Sequence, residues 1–594
     1  MRKSLLVCLL SILCLLLVCS CGEKPFKPFT PPSVDNVVLI SIDTLRADHV
    51  GAYGYPRKTT PNIDRLAKES IRFSQAFSST NWTLPAHAGM FSGMMSSGHG
   101  AIGLKDAIRP QTQLIAEHLN NAGVTTGAFV SHVYVSEKFG FHRGFETFDY
   151  EQHRSAAKQT DQAIDWMKQN GASPFFLFLH YFDVHAPYGD VEINPTRFTE
   201  DPECYGPKAW ADIASAAVEK DWPQFQCFQD LYDGDLAYVD EHLGRLFDHL
   251  RTSGLLDRTL VIVTSDHGEM FGEYEAAGHG LTLFDPEIWV PLIMRFPDGA
   301  GGGTELADLV SNVQLAPTIL EVFGQTPFPT DLPSLLPRLR GEASAAEWVG
   351  VETQKLDNQM IAVIDPEYKA VMPPPHQIYG VNLAPSLVRR GEPEDRNIWF
   401  EQPDIIETMT ERIAQSGWYG SGTCYEMTFF AKSHYARLHF EVTLPEGVEP
   451  VTIAPLARYV RRKGKKVFAE ESPVTQNGNT FNMTLPRGHS VSGFAVVVDP
   501  ADTEITIKVP GIDDIRNLPL FVGQTGNEVK GETVTLNGPT GSFEANPRPM
   551  GAFVLIRSYP VSHLQRPGMG PIVPAAPLSQ EERNALRALG YLGP

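Results

Sequence analysis

The chain has 594 residues, of which 42% are hydrophobic and 20% charged, with a formal net charge of −21. The length exceeds one ordinary domain and the composition is that of a globular protein with a sizeable core. The acidic balance argues against broad nucleic-acid binding, which needs a basic face, yet leaves an anionic small substrate open, since a bound cation can invert the local sign.

Arg2 and Lys3 precede an apolar run from Leu5 to Val18, closed by Val18-Cys19-Ser20-Cys21. A charged start, a short apolar stretch and a small residue at the break describe a secretory signal over residues 1–20. The run falls short of the roughly 20 apolar residues of a full span, with an uncleaved membrane anchor as the alternative. Its ending resembles a bacterial lipobox, which implies lipid on Cys21. Gly22 follows, where a retention Asp would stand, so the expected location is the cell envelope, lipid-anchored at the outer membrane and facing periplasm or exterior. Cys8, Cys14 and Cys19 leave with the signal. In an exported setting Cys204 and Cys227 suit a disulfide that staples a surface insert, and Cys424 reads as a buried thiol.

Residues 21–35 carry Pro25, Pro28, Pro31 and Pro32 and read as a stiff tether. From Asn36 the pattern becomes strand, loop, helix, repeated. Continuous apolar runs at Val37–Ile42, Thr126–Val130, Phe175–Tyr181, Leu260–Thr264 and Val290–Met294 have the length of strands buried on both faces. The clearest helical face holds Leu236, Val239, Leu243, Leu246 and Leu250. The fold class predicted for residues 36–380 is therefore α/β, a mostly parallel sheet with helices on both faces. Residues 397–560 change texture: Arg437–Val442 and Glu504–Val509 alternate between apolar and polar and predict an antiparallel β-sandwich. The basic block Arg458–Lys466 reads as a solvated hairpin tip, or a contact to anionic headgroups. Residues 575–594 end the chain in a short charged helix.

The chemistry gathers at strand ends. Val37–Ile42 runs into Asp43-Thr44-Leu45-Arg46-Ala47-Asp48, and Leu260–Thr264 into Ser265-Asp266-His267-Gly268-Glu269. Sites in parallel α/β sheets form beyond the carboxyl ends of strands, and two carboxylates with an imidazole suit one divalent cation. A lone Asp in such a place is more often a helix cap. In Asn81-Trp82-Thr83-Leu84-Pro85-Ala86-His87, Pro85 suits a first helical turn, which sets Thr83 beside free N–H groups and the positive end of a dipole. Thr83 is there either a simple cap or a metal-activated nucleophile. His185, in Asp183-Val184-His185-Ala186-Pro187-Tyr188, and His279, in Gly278-His279-Gly280, stand ready to meet substrate oxygens or a leaving group.

Taken in order, these motifs resemble the sulfatase-like branch of the alkaline phosphatase superfamily. Tyr232–Asp240, Leu315-Ala316-Pro317-Thr318 and Leu586–Leu592 add to the likeness, which covers residues 36–324 and the tail but not the β-rich region. The resemblance implies an ester hydrolase in which Asp43, Thr83, Asp266 and His267 hold the metal and Thr83 is the nucleophile. It also implies that His87, His185 and His279 face the transferred sulfuryl or phosphoryl group. His279 stands where many sulfatases carry lysine, His87 where they carry arginine, and Thr44 where many have a second metal-binding Asp. Sulfatases of the family use a formylglycine made from Cys or Ser, whereas oxidised threonine would be a ketone. Thr83 therefore resembles the nucleophile of the family's phosphodiesterases and its phosphoethanolamine or phosphoglycerol transferases. The two-zinc members carry an Asp and His spaced by three, while Asp183 and His185 are spaced by one, so one divalent ion is expected, Mn²⁺, Mg²⁺, Ca²⁺ or Zn²⁺. The expected substrate is an anionic phosphodiester or phosphonate-type ester, glycan- or lipid-linked. A sulfuric ester, an envelope transferase and a catalytically silent binding lipoprotein are the alternatives.

Overall fold

A computed structural model describes residues 26–189, 197–199, 222–355, 358–372 and 386–398, and residues 401–588 with interruptions. Cys21 and Cys204 lie outside the described residues. Cys227 is buried and disulfide-bonded.

Eight strands form the central sheet: β1 (Asn36–Ile42), β2 (Ile71–Phe77), β3 (Thr125–Val130), β4 (Thr147–Tyr150), β5 (Phe175–Tyr181), β6 (Thr259–Thr264), β7 (Leu292–Arg295) and β8 (Thr304–Ser311). Their order is β8-β2-β7-β6-β1-β5-β3-β4. β1 lies parallel between β5 and β6, the deepest position in the sheet, and every one of its residues is buried. β7 runs antiparallel to both of its neighbours, a direction its apolar run does not reveal. β2 and β8 escaped the sequence reading because both interleave polar residues with apolar ones.

Alternate residues of β1 face opposite layers, as a period of two demands. Val38, Ile40 and Ile42 pack with helices α1 (Pro61–Ala67), α4 (Ala156–Asn170) and α5 (Trp222–Thr252). Val37 and Leu39 pack with α2 (Thr83–Ser92), α3 (Ile115–Asn121) and α6 (Leu315–Val322). The five-residue apolar face of α5 is wholly buried. Its polar face clips the loops around it. Tyr232 Oη accepts from Arg46 N–H (3.0 Å) and donates to Thr44 O (2.9 Å), and Asp240 receives Ile63 N–H (2.8 Å) at the start of α1.

A second, antiparallel sheet follows: β9 (Val349–Lys355), β10 (Asn358–Ile364), β11 (Tyr368–Met372) and β12 (Ser386–Arg389). Helix α7 (Pro403–Ser416) covers it, with Met409 buried among Ile361, Val363, Tyr368 and Leu387. The β-rich segment expected from residue 397 thus opens with a helix, because Ile405, Ile406 and Met409 supply an apolar face of helical period. Beyond it lie two separate sheets. One has six strands built around Gly420–Phe430 and Phe553–His563; the other has five, around Leu438–Thr443 and Glu504–Lys508. The basic block falls on a hairpin of Tyr459–Arg462 with Lys465–Phe468.

The chain then returns to the layer of the central sheet. Val573–Pro574 pairs with Asp106–Ala107, and Glu582 of helix α8 (Gln580–Ala588) meets Lys138. Leu586 is fully buried in the core beneath α2 and α3. Replacing Leu586 by Ala should therefore cost about 2–4 kcal/mol in urea unfolding of the catalytic region, whereas an exposed tail would give a loss near zero.

Candidate active site

Parallel pairing sets the geometry. Ser41 lies opposite Thr264, so the residues that follow β1 and β6 leave the sheet side by side. Ser265 ties the two ends together, its hydroxyl within 2.7 Å of Ile42 O and accepting from Leu45 N–H at 2.9 Å. Asp43 and Asp266 emerge there, both with no exposed surface. Asp266 Oδ1 accepts from His267 N–H (2.9 Å) and Thr44 N–H (3.3 Å), which turns Oδ2 the other way. Asp43 Oδ2 meets His180 Nε2 at 3.1 Å, leaving Oδ1. Among the described residues neither Asp43 Oδ1 nor Asp266 Oδ2 has a hydrogen-bond donor.

His267 Nδ1–H donates to Gly268 O (2.8 Å), so Nε2 presents its lone pair. That nitrogen lies 3.3 Å from Thr83 Oγ1, 3.4 Å from Asp266 Oδ2 and 3.6 Å from Asp43 Oδ1. Two carboxylate oxygens without donors, an imidazole lone pair and a hydroxyl therefore converge, the donor chemistry of one divalent cation. Burial raises both carboxyl groups well above the usual range, helped at Asp43 by the charge of Glu269 and at Asp266 by that of Asp43. A cation would remove that penalty.

Thr83 is the first residue of α2, entered from extended Trp82, so it sits inside the first turn rather than ahead of it, with Pro85 two positions on. Thr44, at φ 57°, points its hydroxyl to Asp43 O (2.7 Å) and Val184 O (2.9 Å), away from the converging groups. Asp183 Oδ1 accepts Ala156 N–H (2.9 Å) at the start of α4 and serves that helix end.

The histidines divide into two sets. His185 and His279 stand beside His267, with ring centroids 5.1 Å apart and 4.4 Å from His279 to His267. His185 stacks on Phe182 at 4.5 Å and donates Nδ1–H to Ala186 O (2.7 Å); burial lowers it to about 4, so it is neutral at pH 7. His279 Nδ1 meets Glu269 Oε1 at 3.1 Å. Burial pushes Glu269 up to about 7 despite Tyr188 Oη–H donating to it at 2.8 Å.

His87 does not join them. Its Nδ1–H donates to Thr83 O (2.9 Å) and its Nε2 accepts from Ser41 Oγ (3.0 Å). Four residues along a helix puts its ring back over the first turn, where it braces the Thr83 backbone against β1. His87 Nδ1 also lies 3.6 Å from Asp266 Oδ2.

Three site residues were missed in the sequence. His180, inside β5, reads there as one more strand residue; its Nδ1 accepts Ser131 N–H (3.4 Å), so Nε2–H points at Asp43. Glu269 closes a motif but carried no role. Lys355 comes from β9, and its Nζ lies 3.3 Å from His279 O. Only the period-two step of His180 and Ile42 toward adjoining strand ends offered a signal for the first.

A family model described as Sulfatase matches residues 35–325. An uncharacterized sulfatase, YidJ of Escherichia coli (strain K12), is 25% identical over 340 residues, 48% of this chain and 67% of that protein. Two solved structures share the fold. A phosphonate monoester hydrolase of Agrobacterium radiobacter superposes with a TM-score of 0.52 at 18% identity, over 66% of this chain and 95% of that one. BT4656, in complex with its substrate D-glucosamine-2-N,6-O-disulfate, gives 0.54 at 19%, over 65% and 97%.

Outer hydrogen bonds orient metal ligands, and losing one typically costs 10–100-fold in affinity. His180→Ala should weaken Zn²⁺ or Mn²⁺ binding by about that factor in chelator competition, in a variant whose far-UV circular dichroism shows that the fold is kept. Unchanged affinity would deny His180 this part.

Proposed function

We propose that the chain, whose residues 35–325 match the Sulfatase family model, hydrolyses an anionic phosphodiester or phosphonate-type ester with Thr83 as nucleophile. The observation that carries the reading is the Thr83 hydroxyl 3.3 Å from His267 Nε2, beside the Asp43 and Asp266 oxygens that lack donors. Asp43, Asp266, His267 and Thr83 would hold one divalent ion. Such an ion supplies Lewis acidity, lowering the pKa of a bound hydroxyl and offsetting charge on an ester oxygen.

In the first step a bond forms from Thr83 Oγ to phosphorus as the bond from phosphorus to the leaving oxygen breaks. The proton lost by Thr83 ends on the leaving oxygen. With Nδ1–H held by Glu269, His279 Nε2 is the lone pair suited to carry it. In the second step water attacks phosphorus, the Thr83 Oγ–phosphorus bond breaks, and Thr83 recovers a proton from the water. His185, neutral and with Nδ1–H committed to Ala186 O, suits the base that takes that water's proton and returns it. The positive end of α2, which Thr83 opens, favours negative charge on oxygens brought up to that helix end.

A sulfate ester is the second reading, favoured by the sulfatase names of the relatives and by the disulfated sugar bound in one structural neighbour. Thr83 would then act directly, without an aldehyde. We also propose export and a lipid tether at Cys21, so that Cys21→Ala moves the protein from the membrane fraction to the soluble one; retention in the membrane would rule the tether out.

With the metal-loaded mature protein, bis-4-nitrophenyl phosphate should be turned over faster than 4-nitrophenyl sulfate. Thr83→Ala should lower kcat by at least about 1,000-fold, and rapid quenching should trap a phosphoryl adduct on Thr83 by mass spectrometry. Undiminished turnover by Thr83→Ala would remove the nucleophile; preference for the sulfate would select the second reading.

A further inference from the structure

β9 lies beyond the stretch matched by the family model, yet it is fastened to the catalytic layer. Glu352 N–H donates to Ser79 O (2.8 Å), and Glu352 Oε1 accepts Ser97 N–H (2.8 Å). Val349 and Val351 pack with Phe77 and Leu309 at the edge of the central sheet. A strand repeats every two residues, so Thr353 and Lys355 share the face of these valines and turn toward the site. A lysine on that face stands among apolar companions, and only 7% of it is exposed.

The backbone is shaped to admit it. Gly280 has φ +81°, and a Cβ there would come within 2.2 Å of Lys355 Cδ. The side chain threads past this glycine, placing Nζ 3.3 Å from His279 O and 5.9 Å from the ring centroid of Trp82, the residue before Thr83. The ammonium is thus flanked by the loop of His279 and the residue that precedes the nucleophile. The acids whose charge reaches Lys355 are Glu269, Glu287 and Asp43, and each also receives other donors. Glu287 binds Asn81 Nδ2 (2.9 Å) and Gly280 N–H (2.8 Å), Glu269 binds Tyr188 and His279, and Asp43 binds His180.

We propose that Lys355 is a substrate-binding residue of this site, its ammonium holding a non-bridging anionic oxygen of the group transferred to Thr83. The inference rests on the location of the site given above, but not on which atom attacks. It makes the second sheet part of the active centre: recognition of the substrate's charge comes from one layer and the nucleophile from another. A lysine acts here as a point charge, so arginine should substitute in part and neutral residues should not.

The test uses the full mature protein loaded with Mn²⁺, and inorganic phosphate as the probe in calorimetry. Lys355→Met should bind phosphate at least about tenfold more weakly and lose about 100-fold in kcat/KM on bis-4-nitrophenyl phosphate, with Lys355→Arg recovering part of the binding. Mn²⁺ content and the unfolding midpoint should stay at wild-type values, and Lys355→Gln serves in place of the methionine variant if the latter does not fold. Wild-type phosphate affinity in the neutral variants, or no phosphate binding by the wild-type protein, overturns the proposal. Thr83→Ala keeps the two readings apart: turnover surviving in that variant removes the nucleophile, while the phosphate comparison at Lys355 stands or falls by itself.

Discussion

Two carboxylates forced together out of water govern this structure. Asp43 and Asp266 leave neighbouring parallel strands at the same level, both fully buried; burial raises the proton affinity of each, with Glu269 adding to it at Asp43 and Asp43 adding to it at Asp266. Like charges brought together away from water repel more strongly than they would at the surface. The surroundings do not relax that repulsion by turning the oxygens outward. Backbone N–H groups and His180 take the outer oxygens, and the inner pair is left facing His267 and Thr83. A doubly charged ion is the species that turns this arrangement from a cost into a gain.

Much else in the fold reads as support for that point. Ser265 clamps the two strand ends, α5 holds the Asp43–Asp48 loop through Tyr232, and His87 braces the first turn of α2. The second sheet presses on the same region from outside the family-matched stretch, fixed by Glu352 to Ser79 and Ser97. Helix α8, at the far end of the chain, fills the core under α2. A site assembled from such distant segments tolerates long insertions between them, because loop closure costs grow slowly with length.

The legible part of the sequence was the part written in strand ends. Apolar runs stopping at Asp43 and at Asp266-His267 announced both the strands and what stands beyond them, and Pro85 marked a helix start near Thr83. His180 was hidden because a histidine within a buried run looks like strand filler until its neighbour across the sheet is known to end in Asp43. Lys355 was hidden for a different reason: nothing local says that β9 lies against the catalytic sheet or that Gly280 leaves a passage. The antiparallel course of β7 and the helical start of the segment after residue 397 are both tertiary outcomes. In each, packing partners far along the chain decided between states that local pattern left equal.

The most direct test is a count of bound metal. Calorimetric titration of the chelated mature protein with Zn²⁺ and with Mn²⁺ should give one tightly bound ion per chain, and Asp43→Asn with Asp266→Asn should abolish that binding while the fold is kept. A protein that takes up no divalent ion, or one whose uptake is indifferent to those two substitutions, would contradict the account.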